Sequence, residues 1–315
     1  MSSLFRQLLL ITLCHLALPL LMNSQPLIVH HQHQIYFPSV ISYLESDLGG
    51  QHPIIADFSD PDTNSLLDDA WILSPLYPHS LAPDFKEPHP SQPPSMAHWL
   101  GTNHLGQDIL VYALYALIYS LTLPIVLTTL SAQIGGIMGV ISATLGGGVD
   151  LAYLWSYEVC RSIPFTLILM LSLPHSVFMF IALFSFTQWT KFAHLSRNEA
   201  LQLLEKPYIQ DALFSGMSKP SLIKNHLMPA IKKFWHNQLS HTFLNYFVLQ
   251  QSLCYFGLNL FPQSPSLGNL LLQVKQHPEG IWMLLPILLC FMAVTAASYW
   301  LFPADRHCDQ TCTKN

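Results

Sequence analysis

The sequence predicts an all-α, polytopic membrane protein of about six spans, with an exported loop after the first span and a cytoplasmic loop between later ones. Three observations carry that prediction. Hydrophobic residues make up 51% of the chain, charged residues only 10%, and the mean hydropathy is +0.35, where soluble domains carry about 25% charge. Residues 109–149 and 234–274 contain no Asp, Glu, Lys or Arg at all. The few bases concentrate between the apolar stretches rather than spreading along the chain. A net charge of −5 with so few bases excludes a nucleic-acid footprint, and the apolar excess excludes a disordered chain.

The first span is Leu4–Met22, led by Arg6 and left through Asn23-Ser24-Gln25. No small-x-small cleavage site follows, so an uncleaved signal anchor is preferred to a removed signal peptide. The 41 residues of 109–149 exceed one straight span. They are read as an interfacial helix over 109–118 and a span over 119–145, with Gly135, Gly136 and Gly139 allowing close helix packing. Residues 151–190 hold one acid, Glu158, and one base, Arg161. They are three apart, as for a pair on one helix face, near the cytoplasmic end. Two spans fit this stretch, near 153–173 and 175–191, broken at Pro174-His175; one long tilted span is the rival. Further spans lie near 238–258 and at 281–302.

Charge orients these spans. With the N-terminus inside, Arg6, Arg161, Lys191, Arg197, Lys206, Lys219, Lys224, Lys232, Lys233, Arg306 and Lys314 are cytoplasmic. Lys86 and Lys275 are outside, a strong positive-inside asymmetry. A five-span arrangement with the N-terminus outside also satisfies the rule and ranks second. The expected division is a first span at 1–22, an exported Pro/His-rich segment at 23–108, a domain with five spans at 109–303 and a cytoplasmic tail at 304–315.

The exported stretch 23–104 carries eight His and nine acids, a composition of loops and turns rather than a large core. His30, His31 and His33 stand close together, yet no spaced ligand set supports a closed metal site, and none is assigned. The six Cys are scattered and none falls in this stretch, so no exported disulfide framework is expected. No phosphate-binding Gly-x-x-x-x-Gly-Lys, His-Glu-x-x-His or Gly-x-Ser-x-Gly occurs, and no catalytic residue is assigned. Gly146-Gly147-Gly148 is read as a turn.

The basic loop 191–233 is the most informative stretch. Arg197–Leu204 reads as a helix, Pro207 starts a second one at Tyr208–Phe214, and Gly216 ends it in the left-handed conformation. After Pro220 a further helical stretch leads to His226 and Pro229. A short helix held between spans suits a lever that lies in a partner's groove.

Here the sequence resembles the membrane-spanning permease subunits of ABC transporters, in the dipeptide/oligopeptide group. Gln210-Asp211-Ala212 stand at the family's Glu-Ala-Ala, Gly216 at its Gly and Met228-Pro229 at its Leu-Pro, with Tyr208 and His226 matching the peptide-permease form. Trp189, Ala193, Arg197 and Glu199 resemble the approach to that loop. Gly101-Thr102-Asn103, Gly106 and Asp108 resemble the Leu-Gly-Thr-Asp-x-x-Gly-Arg-Asp stretch before the second span. Gly147-Gly148-Val149-Asp150 with Pro164, and Phe256-Gly257-Leu258 through Pro265-Ser266-Leu267-Gly268-Asn269, are similar to two later segments. The resemblance covers about 98–303. Asn103 replaces an acid, Gln107 a base, Gln210 an acid, Asp211 an alanine and Leu267 a tryptophan.

The resemblance implies a transport subunit that binds no cofactor itself. It would pair with a second homologous permease subunit and two cytoplasmic ATP-binding subunits, which would use ATP and Mg, and with a periplasmic substrate-binding protein. Residues 208–229 would be the ATPase-coupling loop, bordered by membrane lipid. Peptide import is the first expectation. Permeation linked to antimicrobial or cationic peptide resistance is the alternative, with a non-transporting membrane scaffold as the rival class.

Overall fold

A computed structural model of the protein describes residues 12–13, 16–31, 34–48, 55–56, 58, 70–81, 91–164, 177–259, 261 and 264–301. Helix dominates, in agreement with the sequence. The expectations for Arg6 and most of the first span at 4–22, Cys14, His33, Lys86, Pro174-His175, the second half of the 153–173 span, Arg306 and the tail at 304–315 lie outside the described residues. Two helical stretches among the described residues, Ile109–Leu145 and Pro278–Ser298, are long and apolar enough to cross a membrane. The chain divides into two compact units, one of residues 1–119 and 265–290, the other of 120–264 and 291–315.

The first unit holds a small antiparallel sheet of order β2-β1-β3, made of β1 (Ile28–His31), β2 (Gln34–Tyr36) and β3 (Trp71–Leu73). Val29 pairs with Tyr36 on one side and Ile72 on the other. Val29, Tyr36, Leu48, Ala56 and Phe58 form its core. The sequence anticipates only loops and turns here; strands of three or four residues between prolines are too short to show a period of two.

Helix α1 (Ile109–Leu145) is one continuous helix of 37 residues, not an interfacial helix followed by a span. At 1.5 Å per residue it is about 55 Å long, well beyond the roughly 30 Å of a bilayer's hydrocarbon core. Its internal Pro124 does not end it. Helix α2 (Gly147–Ser162) follows through Gly146 and Gly147, both at positive φ (66° and 55°), which is the turn expected of the glycine run.

In the second unit, α1 packs against α3 (Val177–Leu204) through its glycines. A Cβ on Gly135 would strike the Trp189 carbonyl and the Ala193 nitrogen. One on Gly139 would strike the Ala193 carbonyl and the Arg197 nitrogen. Gly136 instead lies under the Trp235 indole, which donates its Nε1–H to Ser196 Oγ at 2.9 Å. Close packing at these glycines is what the sequence predicts. Helix α3 runs 13 residues past the expected end of its span at 191, so Arg197–Leu204 is its final part and not a separate helix.

Helix α4 (Pro207–Phe214) follows. Then α5 (Lys219–Leu222), a single π turn (Ile223–Leu227) and α6 (Met228–Tyr255) run on without a break. Pro229 lacks an N–H, and its ring would crowd the carbonyl of Asn225, four residues back. Asn225 lies in the π turn, where the Met228 N–H bonds the Ile223 carbonyl five residues back, and this wider turn makes room for the ring. Pro229 therefore enters a long helix rather than closing the loop. The remaining elements are α7 (Leu267–Gln276), a 3-10 turn (Pro278–Met283) and α8 (Leu284–Leu301). Cys160, Cys254 and Cys290 are buried, free thiols.

Candidate functional site

The basic loop is built around α4. Pro207 occupies its first turn, where a missing N–H costs nothing. Its end is a Schellman motif. The Met217 N–H donates to the Ala212 carbonyl (3.1 Å) and the Gly216 N–H to the Leu213 carbonyl (3.0 Å). Gly216 has φ +85° with open space where a Cβ would stand. Only its backbone conformation demands glycine.

The two faces of α4 differ. Ile209 is fully buried, and Leu213 and Met217 pack beside it in one apolar cluster. That cluster takes Val140 from α1, Phe192, Ala200 and Leu203 from α3, and Leu222, Leu227, Ile231 and Trp235 from the helical run after α4. Burying Ile209 alone stabilises by roughly 1.5–3 kcal/mol. The other face presents Gln210 and Asp211, both exposed, with Tyr208 at 52% and Phe214 at 85% exposure. Ala212 is half-buried at the margin. The helix is thus fixed to three long helices beneath and offers an aromatic pair flanking an acid above.

The expected loop residues take different places. Gln210 donates from its amide to the Leu204 carbonyl at 2.9 Å, capping the end of α3. A carboxylate at this position has no proton to donate there. His226 is half-buried in the π turn, and Pro229 is exposed. Lys219 reaches the Leu145 carbonyl at 3.5 Å, placing its charge at the negative end of α1.

Behind the loop, α3 is locked to α2. Arg197 Nε and an Nη donate to the two Asp150 carboxylate oxygens at 2.8 Å each. Ser142 of α1 donates to the same carboxylate. The Arg197 guanidinium carbon lies 6.0 Å from the Tyr153 ring centroid. Hydrogen bonds from Arg197, then Ser142, hold the Asp150 carboxyl down at about 2, and the same pairing raises Arg197. Burial raises Glu199. Glu158 and Arg161 are both exposed and form no ion pair with each other, so the pairing their spacing allows is not made.

In the other unit, the motif at 100–108 is a tight reversal. Gly101 and Gly106 have φ of 78° and 75°. Asn103 is fully buried. Its carbonyl oxygen accepts from the Leu105 and Gln107 N–H groups (3.0 and 2.9 Å), and its amide donates to Gln107 Oε1 (2.9 Å) and Gln273 Oε1 (3.1 Å). The last contact ties the motif to α7, whose start is capped by Ser266 accepting from Asn269 N–H at 3.1 Å. Leu267 is fully buried in that first turn. Thr102 pairs with Asp108 across the turn. Asp108 then caps α1, accepting from the Val111 N–H at 3.0 Å.

Residues 135–304 match the family of binding-protein-dependent transport system inner membrane components. The chain belongs to this family of ABC transporter permeases. It is 32% identical over 271 residues to the inner membrane ABC transporter permease protein YejE of Escherichia coli K12, covering 84% of this chain and 79% of that one. It is 26% identical over 207 residues to the oligopeptide transport system permease protein OppC of Mycobacterium bovis (64% and 71%). It is 25% identical over 293 residues to the peptidoglycan transport system permease protein YejE of Agrobacterium fabrum (83% and 76%). This permease is accordingly an inner-membrane protein.

Sequence reasoning on the permease left two constellations unread. Asp150 and Arg197 each fall in a family-like stretch, but 47 residues separate them and nothing local links them. A set of candidate metal ligands, His79, His98 and Asp108, is likewise scattered along the chain.

Proposed function

We propose that this permease subunit carries peptides through the inner membrane, driven by ATP that separate subunits hydrolyse, with α4 and the turn after it, residues 208–229, as the coupling element. The observation that carries the reading is the two-sidedness of α4. A face with Tyr208 and Phe214 exposed stands on an underside packed into three long helices. Large aromatics standing beside an acid suit a groove on a partner. An underside without slack passes a displacement on, because close-packed interiors resist compression.

In this reading the loop faces the cytoplasm, the chain crosses the membrane about six times, and 23–108 is exported. The domain at 109–303 pairs with a second homologous permease subunit. Two ATP-binding subunits dock on the paired loops and hold the ATP and Mg, while this chain binds neither. A periplasmic binding protein delivers the cargo. Peptides are favoured because relatives are named for oligopeptide and peptidoglycan transport. Docking drives transport only if nucleotide-bound partners prefer one membrane conformation over the other. A preference of about 10⁴-fold shifts the two states from 1:99 to 99:1.

The test is a double variant, Gly216→Pro with Asp211→Arg. Proline cannot take the φ of +85° that Gly216 holds, so the Schellman end is lost, and Asp211→Arg reverses the exposed charge. Co-purification with the ATP-binding subunit is expected to disappear while membrane insertion persists. Unchanged co-purification counts against the assignment.

A further inference from the structure

At the beginning of α1, three side chains from distant positions converge. His98 Nδ1 lies 2.8 Å from Asp108 Oδ2. The His79 and His98 rings are 4.5 Å apart between centroids. One ligand-capable atom from each of His79, His98 and Asp108 falls within 4.8 Å of the others. Asp108 is 2% exposed and the two histidines are half-buried. We propose that His79, His98 and Asp108 form a binding site for a borderline divalent transition metal, of which Zn²⁺ is the type, with the fourth position left to water.

The donor chemistry decides the class of ion. Two imidazoles and one carboxylate suit Zn²⁺ and its neighbours, whereas Mg²⁺ and Ca²⁺ prefer oxygen-only sets. The surroundings already do what an outer shell does. The Tyr77 hydroxyl donates to Asp108 Oδ2 at 2.6 Å. The Val111 N–H holds Asp108 Oδ1 at 3.0 Å. The Tyr77 ring packs on His79 and Trp99, at 4.5 and 5.5 Å between centroids. Three ligand-capable atoms within 4.8 Å need only small side-chain rotations to reach the roughly 2.0–2.2 Å bond lengths of a zinc site. On binding, the ion takes the place of the proton between His98 and Asp108, which passes to solvent. The ion would then staple the exported segment, through residues 79 and 98, to the first turn of α1. This inference does not depend on the peptide-transport reading, since metal uptake is measured without cargo or ATP.

The test is Zn²⁺ titration of the full-length protein in detergent, purified without a histidine tag, with Co²⁺ as a spectroscopic probe. One saturable Zn²⁺ per chain is expected, with visible Co²⁺ bands of a four-coordinate N/O site. His79→Ala with His98→Ala should weaken binding at least about 100-fold, since ligands matter no less than the outer-shell groups that alone change affinity 10–100-fold. Asp108 is left intact because it caps α1. His104 and His277, whose rings stack at 4.3 Å, and the pair His30 and His31 supply the controls. Binding that survives the 79/98 change, or is lost only when a control pair is changed, overturns the proposal. If the double variant does not fold, the single variants His79→Ala and His98→Ala take its place, and each must weaken Zn²⁺ binding where the control pairs do not. An absence of saturable Zn²⁺ binding, or a six-coordinate Co²⁺ spectrum, also overturns it.

Discussion

Arg197 grips Asp150 with two parallel 2.8 Å hydrogen bonds, joining the start of α2 to α3 two turns before α3 gives way to α4. Ser142 adds α1 to the same carboxylate. Three helices are thus held at one point just behind α4. The forked geometry gives both charge and direction, and side chains only 19% and 24% exposed shield the pair from salt. The clasp fixes α1 and α3, two of the helices on which α4 is packed.

Breaking one partner should cost more than removing both. Arg197→Ala or Asp150→Ala alone is expected to destabilise by about 1–3 kcal/mol, because the remaining charge is half-buried and unpaired. The double alanine variant should lose less than the sum. Thermal unfolding of the four proteins in detergent completes the cycle, and strict additivity would sink the clasp.

The same pair sets an acid limit. The folded-state value of Asp150, about 2, lies below its ordinary 3.8. Its contribution is therefore present in full well above 3.8, from about pH 5 upward, and is lost as pH falls through 3.8 towards 2. The stability difference between the wild type and Asp150→Asn is expected to be constant from pH 7 to 5 and to shrink below pH 4. A difference that grows on acidification contradicts the assignment.

The α1 glycines should sort by what faces them. Gly135→Leu, Gly136→Leu and Gly139→Leu each drive a side chain into α3 or the Trp235 indole and are expected to abolish detergent-stable protein. Gly148→Ala meets nothing within 4 Å and should express normally. Size-exclusion profiles distinguish the two groups.

The neutral pair Asn103 and Gln107 stands where the resembling family carries an acid and a base. The two amides bond one another at 2.9 Å in a buried turn, so the departures compensate. Asn103→Asp alone buries an unpaired charge and should destabilise by several kcal/mol. Adding Gln107→Arg should recover part of that loss in a thermal-shift assay.

Much of this architecture is readable along the chain because local chemistry sets it. Pro207 and Gly216 bracket α4 as expected, the glycine run makes a turn, and the small residues of α1 mark its packing face. The unity of α1 is not readable in this way. Nothing between 118 and 119 breaks a helix, and length alone suggests a division that packing does not require. The end of α3 at 204 is similar, since its polar last turns read as a separate helix until Ala200 and Leu203 are seen in the apolar cluster. The role of Gln210 depends on the Leu204 carbonyl, and the His79–His98–Asp108 cluster on folding over 29 residues, so neither leaves a pattern in spacing.

The proposed coupling role of α4 requires that its outer face touch an ATP-binding subunit. A photo-crosslinking amino acid placed at Phe214, in membranes containing the intact transporter, measures that contact directly and leaves the buried thiols undisturbed. The expected product is an adduct with a cytoplasmic ATP-binding subunit whose yield changes when ATP is added. The opposite result is an absence of such an adduct at both Phe214 and Tyr208 while the transporter remains assembled. It would mean that this helix is not where the ATP-driven subunits take hold.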